Sequence, residues 1–213
     1  IEYLLEAENK KKRLIDMTCK DFAEETASES PAPGGGSISA YAGALGAALG
    51  TMVANLSSHK AGWDDRWEEF SNWAEKGQSL MAELLALVDE DTESFNRIMD
   101  VFAMPKGTDE EKAARAKALQ DATLYATQVP LKTMKASLAV VDVVRAMAQE
   151  GNPNSVSDAG VGALMARSAV LGAHLNVKIN ASGLKDRSIA EELIGEADRI
   201  AREAERQEKE ILE

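Results

Sequence analysis

The chain has 213 residues, of which 45% are hydrophobic, 28% are charged and only 5% are aromatic. This composition is typical of an ordered soluble protein and excludes a disordered or collagen-like chain. The net charge of −12 argues against nucleic acid as a partner, because phosphate binding needs a basic surface. One cysteine and two distant histidines offer no disulfide and no zinc cluster, so we expect a cytoplasmic protein without metal.

The apolar residues are mostly small and unbranched, which favours helix over sheet, and no strand pattern is found along the chain. Five prolines divide the sequence into blocks, because proline inside a helix removes a hydrogen-bond donor and clashes with the preceding turn. The sequence therefore predicts an all-α fold, a bundle of six to nine helices that includes long antiparallel ones.

In chain order, Thr18 followed by Asp21 predicts the start of a first helix. The segment 30–37 is rich in proline and glycine and is not expected to be helical. A core helix is predicted over residues 37–57; its run 38–56 is long enough for a membrane span, but its small residues argue against one. Its glycines 43, 46 and 50 predict close approach of another backbone. Further helices are predicted over 64–103 with a break near Gly77, from Thr108 to Gly151 with a kink at Pro130, from Ser155 or Ser157 to Ala181, and over 186–212.

The predicted helix over 64–103 carries one carboxylate within its apolar stripe. Asp91 would face the bundle interior, whereas Asp89, Glu90 and Glu93 fall off the stripe and can be solvated. An unpaired carboxylate in the interior has a raised pKa that suits general acid–base catalysis. The alternative is that Asp91 pairs with a lysine or caps a neighbouring helix. The stripe recurs at alternating spacings of three and four: Met81, Leu84, Val88, Asp91, Phe95, Ile98 and Phe102.

A glycine-rich loop is the second candidate. Pro33, Gly34, Gly35, Gly36 and Ser37 lead into a helix, so their free backbone N–H groups can receive a carboxylate or a ring edge. No Gly-Lys-Ser/Thr follows and no strand precedes it, which excludes a phosphate-binding loop and a dinucleotide fingerprint. A plain tight turn explains the same residues.

Two groups of short polar side chains are further candidates. Asn154, Ser157 and Asp158 precede or open a helix, where they either line a pocket or simply cap the helix. Asn176 and Asn180 are one helical turn apart in an apolar run, so both amides face the same way. Hydrogen bonding between helices is the alternative for this pair.

Cations that could hold an anion are also present. Lys106 follows a proline at a predicted corner, and Arg115 lies about two turns into the next helix, although a lone surface lysine is usually only solvated. The segment 130–182 carries five bases and three acids, a net charge of +2 in an otherwise acidic chain.

Taken together, several blocks of the sequence resemble the cyclodeaminase/cyclohydrolase family of folate enzymes. They occur in that family's order and extend from about Thr18 to the C-terminus: residues 30–37, 44–53, 87–95, 104–108, 129–131, 151–152, 157–158 and 176–180.

The resemblance implies an all-α enzyme, commonly a homodimer, that acts on one-carbon tetrahydrofolates without metal or coenzyme. The second Asp of the family's Val-Asp-x-Asp block is its catalytic carboxylate, and here that residue is Asp91. The polar residues of the matching blocks are implied to bind the substrate, and Lys106, Arg115 or the segment 130–182 to hold its anionic glutamate tail.

The N-terminal residues Ile1, Glu2 and Tyr3 resemble the end of the formiminotransferase domain that precedes cyclodeaminase in bifunctional members of the family. We therefore expect residues 1–17 to be a linker or remnant of such a domain and 18–213 to be a cyclodeaminase domain. It would close 5-formiminotetrahydrofolate to 5,10-methenyltetrahydrofolate and release ammonia, as an ammonia-lyase of histidine degradation. The alternatives are a methenyltetrahydrofolate cyclohydrolase and, more distantly, a helical interaction domain without activity. The expected partners are a (poly)glutamylated folate and a second or further copy of the chain, with no membrane.

Overall fold

The computed structural model describes residues 13–213, and six helices make up most of this part of the chain. No strand occurs within it, so the predicted all-α bundle of six to nine helices is confirmed. Most of the predicted linker, residues 1–12, lies outside the described residues. The helices are α1 (Cys19–Thr26), α2 (Gly35–Ser58), α3 (Trp67–Phe102), α4 (Asp109–Glu150), α5 (Val156–Ala181) and α6 (Arg187–Leu212).

Side-chain caps fix the starts of three helices. The Thr18 hydroxyl accepts a hydrogen bond from the Asp21 N–H, 3.1 Å away, as the sequence predicts for α1. Thr108 and Glu111 form a reciprocal capping box at the start of α4. Asp186 caps α6. Because each cap satisfies backbone donors that a helix start leaves unpaired, the sequence locates these boundaries closely.

The central element is α2, which packs against α3, α4 and α5. Its buried face consists mostly of Gly, Ala and Ser, which lets neighbouring helices approach closely. A Cβ on Gly46 would lie only 2.9 Å from the Gly162 carbonyl oxygen and 3.2 Å from the Ala166 nitrogen, both on α5. The predicted close approach of another backbone is therefore confirmed at Gly46. Side chains, not backbone, come nearest to the other two glycines of this face.

Helix α2 is also the one helix among residues 13–213 that is long and apolar enough to cross a membrane, with a mean hydropathy of 1.3 in its most apolar window. In that window 56% of the residues are buried inside the bundle. A buried core helix has the same length and composition, so this feature agrees with the predicted core role of α2.

Two boundary predictions are wrong. Helix α2 begins at Gly35 instead of Ser37, so the last residues of the predicted loop form its first turn. Helix α3 is continuous through Gly77, which is buried where a Cβ would overlap the Thr51 hydroxyl of α2. Gly77 therefore serves packing between helices and not a break.

Pro130 lies inside α4 without ending it. Proline has no N–H, so the carbonyl four residues earlier, that of Ala126, loses its partner within the helix. The Asn180 side chain of α5 donates to this carbonyl at 2.7 Å and replaces the missing bond. A hydrogen bond from a neighbouring helix thus compensates part of the cost of a buried proline.

The close contact at Gly46 predicts the effect of adding one methyl group. We expect Gly46→Ala to lower the free energy of unfolding by about 1–3 kcal/mol, because the added carbon meets backbone that cannot rotate away. Urea unfolding measures the change. Gly195→Ala is the control. A Cβ on Gly195 in α6 would meet no atom of another element of residues 13–213 within 4 Å, so this variant should gain up to about 1 kcal/mol from helix propensity. Equal effects at both positions would contradict the close contact.

Candidate active site

A cavity of about 150 Å³ lies where the N-terminus of α2 meets α3, α4 and α5. It brings together residues from three of the predicted groups, although they are far apart in sequence. A larger groove of about 500 Å³ runs along α2 near His59, but the described residues that line it are mostly apolar and include no carboxylate. The smaller cavity is therefore the better candidate for chemistry. Its predicted members are Gly34, Gly35, Gly36, Asp91, Asn176 and Asn180.

Asp91 lies against the first turn of α2. The Ser37 hydroxyl donates to Asp91 Oδ2 at 3.0 Å, and the Ser37 backbone N–H also donates to this carboxylate. Gly36 has no room for a side chain, because a Cβ there would overlap the Asp91 carboxyl group. The alternative that Asp91 caps a neighbouring helix is thus confirmed, and the same contact places Asp91 at the cavity. Within residues 13–213 no base forms a salt bridge with it.

Two neighbouring acids on α3 have opposite pKa shifts. Burial raises the pKa of Asp91, and the hydrogen bonds from Ser37 oppose only part of the rise. Burial also acts on Glu90, but hydrogen bonds from Lys132 at 2.7 Å and the Tyr125 hydroxyl at 2.9 Å outweigh it and lower the pKa of Glu90. Glu90 therefore keeps its charge in a structural contact, whereas Asp91 can exchange a proton nearer neutral pH.

Asp89 also departs from its prediction as a solvated acid. One of its oxygens accepts the Leu14 N–H at 2.7 Å, and the other is buried without a hydrogen-bond partner among residues 13–213. Glu90 is likewise bonded and only partly exposed, so of the three acids predicted to be solvated only Glu93 is exposed. Asp89 and Glu90 hold other segments of the chain against α3.

The two asparagines of α5 line the cavity with their amide groups. Asn176 donates to the Gly172 carbonyl at 2.9 Å, and Asn180 donates to the Ala126 carbonyl at 2.7 Å. No donor within residues 13–213 reaches either Oδ1 atom. A Cβ on Gly35 would lie 3.5 Å from the Asn176 amide nitrogen, so this amide adjoins the same glycine turn as Asp91. The predicted alternative, hydrogen bonding between helices, therefore holds for Asn180 alone.

The far half of the predicted apolar stripe does not lie in the core. Leu84 and Val88 are buried, but Phe95 is 40% and Phe102 is 52% exposed. Phe95 and Ile98 line the cavity, where they offer apolar contact surface to a ligand. Thr92, whose hydroxyl is 3.4 Å from that of Ser37, also lines it. The position of Thr92 next to Asp91 in the sequence is the signal that could have identified it as a residue of the site.

The structure does not bring the remaining predicted residues of the chain to the cavity. Lys106 is exposed in the loop after α3, and Arg115 donates to the Val101 carbonyl at 3.1 Å, where it caps the end of α3. Asn154, Ser157 and Asp158 lie at the opposite end of α5 from the cavity, about 30 Å away along the helix. Their role in binding stays a prediction.

Two other predicted residues, Pro33 and Ser37, are not among the residues that line the cavity. Pro33 and Ser37 are both buried, so neither presents its side chain to solvent. Ser37 acts through its bonds to Asp91.

The segment 130–182 does not present a free basic surface. Acids of neighbouring helices neutralise most of its bases, because the bundle places α4 and α5 beside acidic faces of α3 and α6. The predicted role of this segment in holding the glutamate tail stays a prediction. The ion pairs are Lys132–Glu90, Lys135–Glu196, Arg167–Glu205 and Lys178–Asp198. In the part of the chain that the structure describes, no group of three His, Cys, Asp or Glu side chains is placed to hold a metal ion.

A desolvated carboxylate beside free amide oxygens, in a small cavity of a helical bundle, defines a candidate acid–base site for a small molecule. The model of the formiminotransferase-cyclodeaminase family matches residues 18–199. The chain belongs to this family of enzymes, which act in folate one-carbon interconversion, and the resemblance seen in the sequence is confirmed.

Relatives and a solved structure support this membership. The chain is 41% identical to a methenyltetrahydrofolate cyclohydrolase of Methylorubrum extorquens, over 88% of this chain and 90% of that protein. It is 34% identical to the formimidoyltransferase-cyclodeaminase of Gallus gallus, over 96% of this chain but only 38% of that protein. The crystal structure of a formiminotetrahydrofolate cyclodeaminase from Thermotoga maritima matches with a TM-score of 0.80 and 25% identity, over 92% and 93% of the two chains.

The contacts of Asp91 predict how its pKa responds to mutation. We expect Ser37→Ala to raise the pKa of Asp91 further, because the lost hydroxyl favours the charged form. Carboxyl-carbon NMR during a pH titration measures it. Ser39→Ala is the matched control, since that hydroxyl bonds the Gly35 carbonyl instead.

The same titration has a counterpart in stability. The folded protein binds the Asp91 proton more tightly than the unfolded chain does, so protonation of Asp91 stabilises the folded state. This contribution to the free energy of unfolding is complete below the unfolded pKa of about 3.9 and is lost as pH rises through the pKa of the folded state. An Asp91 that titrates at the unperturbed pKa would refute this account.

Proposed function

We propose that this chain is a formiminotetrahydrofolate cyclodeaminase, which closes 5-formiminotetrahydrofolate to 5,10-methenyltetrahydrofolate and releases ammonia. The observation that carries the proposal is the carboxylate of Asp91, desolvated and free of any basic partner among the described residues, at the edge of the cavity. The similarity to cyclodeaminases of Gallus gallus and Thermotoga maritima supports it. The residues at the cavity supply this chemistry without a cofactor, and we propose that none is needed.

In the proposed reaction, folate N10 attacks the carbon of the protonated formimino group that N5 carries. An N10–carbon bond forms, and the double bond from that carbon to the terminal nitrogen becomes a single bond. Asp91 takes the proton that N10 loses and passes it to the amine nitrogen of the tetrahedral centre. The bond from carbon to that nitrogen then breaks, ammonia leaves, and the methenyl cation remains. A carboxylate beside the cation stabilises it electrostatically, so one group serves both steps.

The surroundings of the cavity match the rest of such a substrate. Phe95 and Ile98 offer apolar surface for a ring, and the backbone of Gly34–Gly36 lets a flat group approach closely. Lys106 has no acidic partner among residues 13–213, and we propose that it attracts the glutamate tail.

A methenyltetrahydrofolate cyclohydrolase is the second candidate. The 41% identity to the Methylorubrum extorquens cyclohydrolase, over nearly all of that protein, favours it. The same carboxylate would then remove a proton from the water that attacks the methenyl carbon. Both candidates therefore need Asp91, and they differ in whether ammonia or water occupies the space beside it.

We also propose that a formiminotransferase domain accompanies this chain in the full-length protein, in the cytoplasm and in histidine degradation, with residues 1–17 as the linker and 18–213 as the cyclodeaminase domain. The chain spans about four tenths of the formimidoyltransferase-cyclodeaminases that it matches, such as that of Gallus gallus. The match to the Dictyostelium discoideum enzyme covers the whole of this chain, including the N-terminal segment. This coverage supports the proposal.

We propose further that a second copy of the chain covers the exposed face of α2 and α5. Helix α2 contains no charged residue, and α2 and α5 lie side by side at the Gly46–Gly162 contact. Together the exposed side chains offer on the order of 700 Å² of apolar surface, which is large for a monomer and close to one side of a standard interface. A twofold contact would bring the same apolar side chains of both copies together. Its large side chains are Ile38, Leu45, Met52, Leu56, Val161, Leu164, Leu175 and Ile179, each 38–68% exposed.

The proposed activity is tested at Asp91. We expect Asp91→Asn to lower ammonia release from 5-formiminotetrahydrofolate by about 10²–10⁴-fold, because the amide cannot take up the N10 proton. Glu93→Gln, on the same helix but paired with Arg97 at the surface, should leave turnover unchanged. Circular dichroism checks the fold of each variant.

The outcomes separate the candidates. Most of the turnover retained in Asp91→Asn would exclude the proposed role. With the unmutated protein, methenyl absorbance that decays without ammonia formation would favour the cyclohydrolase. If the unmutated protein turned over neither substrate, the remaining alternative would be a helical interaction domain without activity.

The proposed dimer is tested by charge on its apolar face. We expect Leu45→Glu and Val161→Glu each to convert a dimer to a monomer in analytical ultracentrifugation, since each would bury an unpaired carboxylate. Trp67→Glu is the control, because Trp67 is 57% exposed at the start of α3 and off this face. A monomeric unmutated protein, or dissociation by the control alone, would refute the face as an interface.

A further inference from the structure

Side-chain oxygens that can accept hydrogen bonds line the cavity, together with the hydroxyls of Thr92 and Ser94. The Asp91 carboxylate and the Oδ1 atoms of Asn176 and Asn180 line it, and neither amide oxygen accepts a hydrogen bond from residues 13–213. In the described part of the chain, no Lys, Arg or His is among the lining residues. A group that fits between these oxygens must therefore donate hydrogen bonds, and a positive charge on it is favoured.

The orientation of both amides is set by backbone carbonyls. Asn176 donates one side-chain N–H to the carbonyl of Gly172, one turn earlier in α5. Asn180 donates one N–H to the carbonyl of Ala126. This carbonyl has no partner within α4, because Pro130 lacks an N–H. Each bond holds the nitrogen side of the amide on the backbone and leaves the oxygen side unpaired.

We infer that the Oδ1 atoms of Asn176 and Asn180 bind the nitrogen that leaves as ammonia, and that Pro130 positions Asn180 for this contact. The inference rests on the proposed function and adds which end of the substrate lies against α5. A formimino group carries N–H donors on its terminal nitrogen, whereas the methenyl carbon of the product has lost them. Acceptors at this point therefore distinguish substrate from product.

During the reaction these oxygens bind the amine as it gains its proton and becomes positively charged. The N10–carbon bond forms, the carbon–amine bond breaks, and Asp91 moves the proton between the two nitrogens. Two neutral acceptors hold the departing group without competing for that proton, since an amide oxygen is far less basic than a carboxylate. Asp91 and Asn176 adjoin the same Gly35–Gly36 backbone, so both can reach one small group.

The test uses formamidinium, which carries the donors of the formimino group without the folate. Binding to the unmutated protein is measured by NMR titration and by competitive inhibition of turnover. We expect Asn176→Leu and Asn180→Leu to weaken formamidinium binding about 10- to 100-fold, the range for a hydrogen bond to a charged group. The inhibition constant of methenyltetrahydrofolate, which lacks these donors, should stay within about twofold.

Pro130→Ala tests the positioning step without touching the cavity. The new backbone N–H of residue 130 competes for the Ala126 carbonyl, which releases Asn180. We expect weaker formamidinium binding and a higher KM for 5-formiminotetrahydrofolate, with an unchanged product inhibition constant and a fold intact by circular dichroism. Asn72→Leu, an exposed asparagine early in α3, is the matched control.

If Asn176→Leu and Asn180→Leu weakened the binding of formamidinium and of methenyltetrahydrofolate equally, the inference would be overturned, because the two asparagines would then have a general structural role. Unchanged formamidinium binding in Pro130→Ala would overturn the positioning step. If the unmutated protein binds formamidinium through these amides but turns over no folate, the acceptor site stands and the proposed function fails. If it turns over folate but binds formamidinium equally in all variants, the inference alone fails.

Discussion

The structure of the site depends on one interaction, the contact between the Asp91 carboxylate and the first turn of α2. That turn begins with glycines and has no side-chain cap of its own, so its backbone donors need a partner from elsewhere. Asp91 supplies it through Ser37, from a helix far away in sequence. The contact fixes α2 against α3 and keeps a carboxylate at low solvation, and the same atoms therefore serve both folding and chemistry.

The glycines beside this contact have a definite steric purpose. A side chain on Gly36 would displace the carboxylate, and one on Gly46 would separate α2 from α5. Gly46 brings the asparagine-bearing helix near α2, and Gly36 admits the acid that faces it. A small-residue core is costly in helix propensity. Here it permits the start of α2 and the end of α5 to converge with α3 and α4 on a cavity of about 150 Å³.

Much of the fold and the central residue of the site could be predicted from local rules. The caps at Thr18 and Thr108 follow from short-range hydrogen bonds, and Asp91 was found because it interrupts an apolar stripe. The same stripe wrongly predicts that Phe95 is buried. Periodicity defines which face of a helix is apolar, but it does not show where the neighbouring helix ends. Helix α3 continues about 16 Å beyond Asp91, past the start of α2, so no helix among residues 13–213 covers its last apolar residues.

The charge of the site follows from the same geometry. A helix N-terminus with free N–H groups ordinarily attracts an anion. At α2 that position is already filled by Asp91, which neutralises the donors and turns carboxylate and amide oxygens toward the cavity. An anion-binding motif thus becomes a site for a donor-bearing or cationic group. A glycine-rich helix start therefore predicts the charge of its ligand only when the group that binds its first turn is known.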